Sequence, residues 1–248
     1  MAKAKRLRVF AGPNGSGKST LFEAIQSQFN TGHFVNSDII EREISTKGFV
    51  NLEEYSLDLS DGDLQNFLNK PYTQSLLAKS IAFGHAIDIE IKDNVIVDKS
   101  KDTHGYEASL ITSFIREHLL KKGISYSFET VMSHTSKLDE IQKARESGYK
   151  TYLYFVCLDD SQLNVSRVQN RVRKGGHAVP VDKIVERYTR TLDNLLPAMR
   201  LVERAYLFDN SGETMLLIAE TIGGQLTTLV EQNQLPNWFI EYIINKLS

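Results

Sequence analysis

The chain holds 248 residues, 41% hydrophobic and 24% charged, with 29 Lys and Arg against 31 Asp and Glu. That near-neutral balance argues against nucleic acid as a partner, since such binders carry a basic excess. The single cysteine, Cys157, excludes an internal disulfide and fits a reducing compartment. No apolar stretch is long enough to cross a bilayer and no secretory signal pattern opens the chain, so a cytoplasmic protein without a membrane partner is expected.

Short apolar runs alternate with helical patterns, which predicts an α/β fold with a mostly parallel sheet. Core strands are expected at 6–11, 33–36, 125–129, 150–157 and 204–209. The first strand runs straight into Gly12-Pro-Asn-Gly-Ser-Gly-Lys-Ser19, followed by a helical pattern. This is the phosphate-binding loop pattern in the strand-loop-helix context it requires. Glycines at 12, 15 and 17 let the backbone curl so that successive N–H groups point inward at phosphate oxygens. A helix starting near Lys18 adds its free N–H groups and the positive end of its dipole. The predicted nucleotide contacts are Gly12, Asn14, Gly15, Ser16, Gly17, Lys18, Ser19 and Thr20. Lys18 is placed to reach the β- and γ-phosphates, and the Ser19 hydroxyl to ligate Mg²⁺. A nucleoside triphosphate with Mg²⁺ is therefore the expected ligand, and the absence of a guanine-reading Asn-Lys-x-Asp pattern favours ATP.

Strand ends carry the ligands in open α/β sheets. After the second strand comes Asn36-Ser37-Asp38, where Asp38 has two readings of equal weight. It caps the helix beginning Ile39-Ile40, or its carboxylate takes a proton from an attacking hydroxyl. Residues 48–122 are too long for one connection and carry three helical patterns (64–68, 73–82, 106–121). They also carry two alternating runs, 87–91 and 95–98, joined as a β-hairpin. The region is read as an insertion over the nucleotide core. Glu129-Thr130 closes the third strand, and a carboxylate there needs a cation or a hydroxyl as partner.

Leu138, Ile141 and Ala144 form a helical stripe, as do Ile184, Tyr188 and Leu192, and Leu195–Val202 continues beyond a bend expected at Pro197. Between them lies Arg167-Val-Gln-Asn-Arg171-Val-Arg173-Lys-Gly-Gly-His177-Ala-Val-Pro180. Arg167 and Arg171 stand one turn apart, suited to clamp charge on a transferred phosphoryl group, and the paired glycines suit a closing lid. A solvated basic face followed by a turn is the equal alternative. Asp209-Asn210-Ser211 follows the fifth strand, and 235–247 is expected to form an amphipathic helix with Pro236 in its first turn. No His/Cys cluster has zinc spacing and no Gly-x-Ser-x-Gly elbow appears.

Together these segments resemble the zeta-toxin family of P-loop kinases. The resemblance rests on Gly12–Ser19, Asn36-Ser37-Asp38, Phe128-Glu129-Thr130 and the segment Arg171–Pro180, with Arg187-Tyr188 and Asp209-Asn210-Ser211 following. It implies a three-layer P-loop kinase-like parallel sheet with helices on both faces, the whole chain forming one domain with 48–122 inserted and 167–180 as the lid. It implies transfer of the ATP γ-phosphate to a small-molecule hydroxyl, with Asp38 as base. Lys18 would hold the triphosphate and Arg171 would stabilise the transferred group, with Arg167 or Arg173 beside it. Glu129, Thr130 and His177 would line the substrate side. Characterised members act on UDP-N-acetylglucosamine and are held inactive by a small antitoxin, so an antitoxin or regulatory partner is implied. The chain departs from them in lacking an arginine after Glu129-Thr130 and in the length of 48–122. These departures favour, as a second reading, a nucleotide-driven regulatory ATPase without an acceptor.

Overall fold

The computed structural model describes residues 4–100, 104–176 and 178–247. The chain divides into two compact units, one formed by 1–32 with 127–248 and the other by 33–126.

In the first unit, β1 (Arg6–Ala11) leads through the glycine-rich loop into α1 (Lys18–Gln26). Leu7, Val9, Phe10 and Ala11 are fully buried. Such an unbroken run marks a strand covered on both faces rather than one with a wet side. Phe10 meets Phe22 of α1 edge-on at 5.2 Å and stacks on Tyr154 at 4.8 Å, which fixes the helix over the strand that feeds it.

The second unit takes up the chain at β2 (His33–Val35), α2 (Ser37–Lys47) and β3 (Phe49–Asn51). It continues through α3 (Asp61–Leu68), α4 (Pro71–Ala82), β4 (Ile89–Lys92), β5 (Val95–Asp98) and α5 (Gly105–Lys122). Strands β4 and β5 form the predicted hairpin, turning at Asp93 and Asn94 with φ of 49° and 61°. Two consecutive left-handed residues are what a two-residue hairpin turn demands, and Asp-Asn tolerates them. A third strand, β3, pairs antiparallel with β5 and was not foreseen.

The first unit resumes with β6 (Tyr126–Thr130), α6 (Ser136–Glu146), β7 (Lys150–Cys157) and α7 (Ser161–Arg173). Then follow α8 (Val181–Asp193), α9 (Leu195–Leu201), β8 (Arg204–Asp209), β9 (Leu216–Ile222) and β10 (Gln225–Thr228). These strands lie in the order β10-β9-β8-β7-β1-β6. β1 pairs parallel with β7, and β7 with β8. The result is the expected mostly parallel sheet flanked by helices. The antiparallel pair β9–β10 extends its edge; the sequence reading omitted it, although Gly223-Gly224 between two β-prone runs is a hairpin signal.

Two helical expectations change. The break after α8 falls at Asn194, whose Nδ2 donates to the Met132 carbonyl at 2.9 Å. Pro197 instead lies in the first turn of α9, where its missing N–H removes no helical bond. The tail is a turn of α-helix at Asn237–Phe239 followed by a π-helical stretch at Ile240–Ile244, with Trp238, Phe239 and Ile243 buried. Among the described residues, no helix is long and apolar enough to cross a membrane.

Candidate active site

The glycine-rich loop sits between β1, β7 and α7, at the carboxyl end of the parallel strands. Gly12 has φ 145°, and a Cβ there would lie 2.0 Å from the Val156 carbonyl oxygen. Gly17 caps α1 at φ 107°, and a Cβ there would meet Asn210 Nδ2 at 2.5 Å. Both positions therefore demand glycine, for conformation and for space.

Two side chains brace the loop's backbone from elsewhere in the unit, and a third from the loop itself. Asn164 Nδ2 donates to the Asn14 carbonyl at 2.7 Å, and Asn210 Nδ2 to the Ser16 carbonyl at 2.8 Å. Lys18 folds back so that its ammonium donates to the Gly12 and Pro13 carbonyls, each at 3.0 Å. That arrangement holds a cation against the first carbonyls of the loop. The Ser16 Oγ and the Asn14 Oδ1 are buried with no hydrogen-bond partner among the described residues. Leaving such atoms unmade costs free energy unless something occupies the curl. The Ser16 hydroxyl can donate to a phosphate oxygen, while the Asn14 amide oxygen, an acceptor, needs a donor such as water. Ser19, in the first turn of α1, donates from Oγ to Glu129 Oε2 at 3.2 Å. A hydroxyl beside a carboxylate is the hard-oxygen set Mg²⁺ favours. No group of three or more His, Cys, Asp or Glu side chains converges as a metal site among the described residues, so an ion here would depend on phosphate and water for its remaining ligands.

The remaining predicted residues lie in several places. Thr20 is exposed on α1. Thr130 Oγ1 accepts from the Met132 amide at 2.9 Å and so shapes the turn after β6, where Met132 adopts φ 59°. On α7, Arg167 is half-buried and its Nη2 donates to the Asn210 carbonyl at 2.8 Å. Its Cβ lies near Gly15, so it stands beside the loop. Arg171 lies exposed in the last turn of α7, and Arg173 Nη1 contacts Asn170 Oδ1 of its own helix at 3.5 Å. Asp38 belongs to the second unit. There the cap of α2 is Asn36, whose Oδ1 accepts from the Asp38 amide at 2.8 Å and the Ile39 amide at 3.2 Å. The Asp38 carboxylate lies exposed in the first helical turn, relieved of the capping job. His177 lies outside the described residues.

Sequence reasoning passed over Asn164 and did not assign Asn210 a role. Asn164 is fully buried on the inner face of α7, and a polar residue in an otherwise apolar stripe was the available signal. Cys157, at the end of β7, is buried, and burial pushes its thiol well above the usual range despite hydrogen bonds to Tyr188 and the Leu158 backbone. It is a packing residue, not a nucleophile.

The fold, with its loop between β1 and α1, is that of the P-loop kinase-like α/β proteins. The family described as Zeta toxin matches residues 90–221, more than half of the chain, and the chain belongs to that family. The matched stretch includes Glu129, Thr130, Arg167, Arg171 and Asn210; the glycine-rich loop and Asp38 precede it. An uncharacterised protein of Haemophilus influenzae is 28% identical over 69 residues, 28% of this chain and 49% of that protein. Among solved structures, the AvrRxo1-ORF1:-ORF2 complex aligns at TM-score 0.56 and 14% identity, covering 91% of this chain and 61% of that one. The AvrRxo1-ORF1:-ORF2 structure with ATP aligns at TM-score 0.50 and 15% identity, covering 92% and 61%. At these identities the likeness is one of fold. The chain spans about half the length of the Haemophilus relative and about three fifths of the AvrRxo1 chains.

Proposed function

We propose that the protein is a kinase that transfers the γ-phosphate of ATP to a hydroxyl of a small molecule. The observation that carries this reading is the cradle at Gly12–Ser19. Its backbone is braced from two sides, an ammonium is held against its first carbonyls, and buried polar atoms await a partner. A surface organised in advance for phosphate oxygens avoids reorganising when charge develops on them. An AvrRxo1 structure of the same fold contains ATP, which agrees with adenine nucleotide as the donor.

In this reading Gly15–Lys18 hold the β- and γ-phosphates, and Arg167 and Arg171 take up the charge that spreads over the transferred group. Asp38 accepts the proton of the acceptor hydroxyl as its oxygen bonds to phosphorus and the bond to ADP breaks. Glu129 and Thr130 would line the acceptor side, a role the sequence also offers His177. Ser19 and Glu129 would hold Mg²⁺, which when bound neutralises charge on the phosphate oxygens. A nucleotide sugar such as UDP-N-acetylglucosamine is the first acceptor to try, given the family. AvrRxo1-ORF1 is found in complex with ORF2, and family membership supports an antitoxin or regulatory protein as this chain's partner.

The test is incubation with γ-labelled ATP, Mg²⁺ and a panel of UDP-sugars. Label appears on one acceptor, and Asp38→Asn lowers that transfer on the order of 10²–10⁴-fold while ATP still binds. Label released only as inorganic phosphate, at equal rates in wild type and Asp38→Asn, defeats the kinase reading and leaves a regulatory ATPase.

A further inference from the structure

The C-terminal turn is joined to the cradle by a continuous run of polar contacts that no step of the proposed reaction uses. The Trp238 indole Nε1 donates to Asp209 Oδ1 at 2.9 Å, although the ring itself is buried. The same carboxylate accepts from the Ser211 hydroxyl at 2.8 Å and, through Oδ2, from the Ser211 amide at 3.2 Å. Asp159 ties the turn down independently, accepting from the Trp238 amide at 3.0 Å, and its own amide donates to Ser211 Oγ at 2.8 Å. Between these anchors stands Asn210. Its amide donates to the Cys157 carbonyl at 2.9 Å, its Nδ2 to the Ser16 carbonyl, and its own carbonyl accepts from Arg167. One residue thus sets both the loop and a cation beside it; of its two neighbours, Asp209 is held by Trp238, and Ser211 is held by Asp209 and the Asp159 amide.

We propose that Trp238 is a positioning residue for the phosphate cradle. Its indole N–H fixes Asp209, Asp209 with Ser211 fixes the backbone at Asn210, and Asn210 sets the Ser16 carbonyl and the Arg167 guanidinium. Hydrogen bonds in series to a carboxylate in a shielded site polarise one another, so loss of the first member is felt along the chain. Remote packing of the tail is the competing account. The two differ because a tail that only packs needs the ring and not its N–H. The inference rests on the reading of the loop as a nucleotide site.

The experiment compares Trp238→Phe, which keeps an aromatic ring against Phe155 and removes the N–H, with Phe239→Leu, which loosens the same turn without touching Asp209. Hydrogen exchange of the 12–20 peptide is measured in the ligand-free full chain, and affinity for a fluorescent ATP analogue alongside it. Trp238→Phe is expected to accelerate exchange across the loop and weaken the analogue about tenfold, the size expected for one hydrogen bond to a charged group. Phe239→Leu should lower the melting temperature and leave loop exchange unchanged. Asn210→Ala combined with Trp238→Phe should be no worse than Asn210→Ala alone. Unchanged loop exchange in Trp238→Phe, equal acceleration in Phe239→Leu, or additive losses in the double variant would each overturn the proposal. A wild-type chain that binds no analogue defeats the nucleotide reading instead, while the exchange comparison still decides the tether.

Discussion

The phosphate loop and the end of α7 both present groups suited to phosphate, yet they are held in opposite ways. The loop's Asn14 and Ser16 carbonyls are gripped by side chains 150 and 194 residues away in the sequence. The backbone amides of Lys174, Gly175 and Gly176 return to the carbonyls of Arg171 and Val172 within the same turn. Gly175 has φ 87° with nothing within 4 Å of where a Cβ would stand. One region is built before the ligand arrives, and the other is fastened locally. A fixed cradle lowers the cost of ordering phosphate, and a locally fastened cation can adjust as the transferred group moves.

The sharpest way to break this contrast is Gly12→Ala. The added methyl would overlap the Val156 carbonyl at 2.0 Å and impose φ 145° on an L-residue. The backbone strain alone costs about 1–3 kcal/mol, before the displacement of β7 is counted. Nucleotide binding should disappear in calorimetry and the melting temperature should fall. Lys18→Ala comes next. It should lower phosphoryl transfer on the order of 10²–10³-fold, with a smaller loss of melting temperature because the loop keeps its asparagine braces. Equal melting loss in both variants would show that the loop has no rigid frame apart from its lysine.

Arg171→Ala sharpens the other half of the comparison. Its side chain is exposed, so stability should stay within about 0.5 kcal/mol of wild type. Transfer should nevertheless fall on the order of 10³-fold if this arginine meets the transferred group. Steady-state kinetics beside a thermal melt read the two quantities. A variant that loses stability and keeps its rate would make the end of α7 structural rather than functional.

The parts of this molecule that could be read in the sequence are those governed by short-range rules. The strand–loop–helix at 6–26 announces itself because glycine positions, the buried run and the Lys-Ser pair are all local. The hairpin at 89–98 is legible for the same reason, its turn needing two residues that tolerate positive φ. The bracing asparagines were legible only in part. Asn210 follows the fifth strand and Asn164 interrupts an apolar stripe, yet only the fold brings their side chains to loop carbonyls. Position had left the capping and catalytic readings of Asp38 even; the cap at Asn36, two residues earlier, took away one of them. The tail misled through its periodicity, since an amphipathic stripe does not distinguish an α-helix from a π-helical stretch between short turns.

The smallest expected effect lies in the other unit and serves to bound the comparison. Burial disfavours the Glu117 carboxylate, but hydrogen bonds from Lys121 at 2.6 Å, from Lys70 and from Tyr72 at 2.6 Å outweigh it, holding the carboxyl down at about 2 against an ordinary 4.5. A depressed folded-state pKa contributes stability that is complete above the unfolded value and disappears as the folded group protonates. Glu117→Gln should therefore be less stable than wild type at neutral pH, and the gap should close as pH falls from about 4.5 toward 2. Partial exposure and screening by salt keep the gap modest. Urea midpoints at several pH values, with ionic strength fixed, measure it. ATP-analogue affinity at neutral pH should not move, because the bracing Asn164 and Asn210 belong to the cradle's own unit. A loss of affinity in Glu117→Gln would mean that the ion cluster around Glu117 helps hold the loop, and the cradle would then not be braced by its own unit alone.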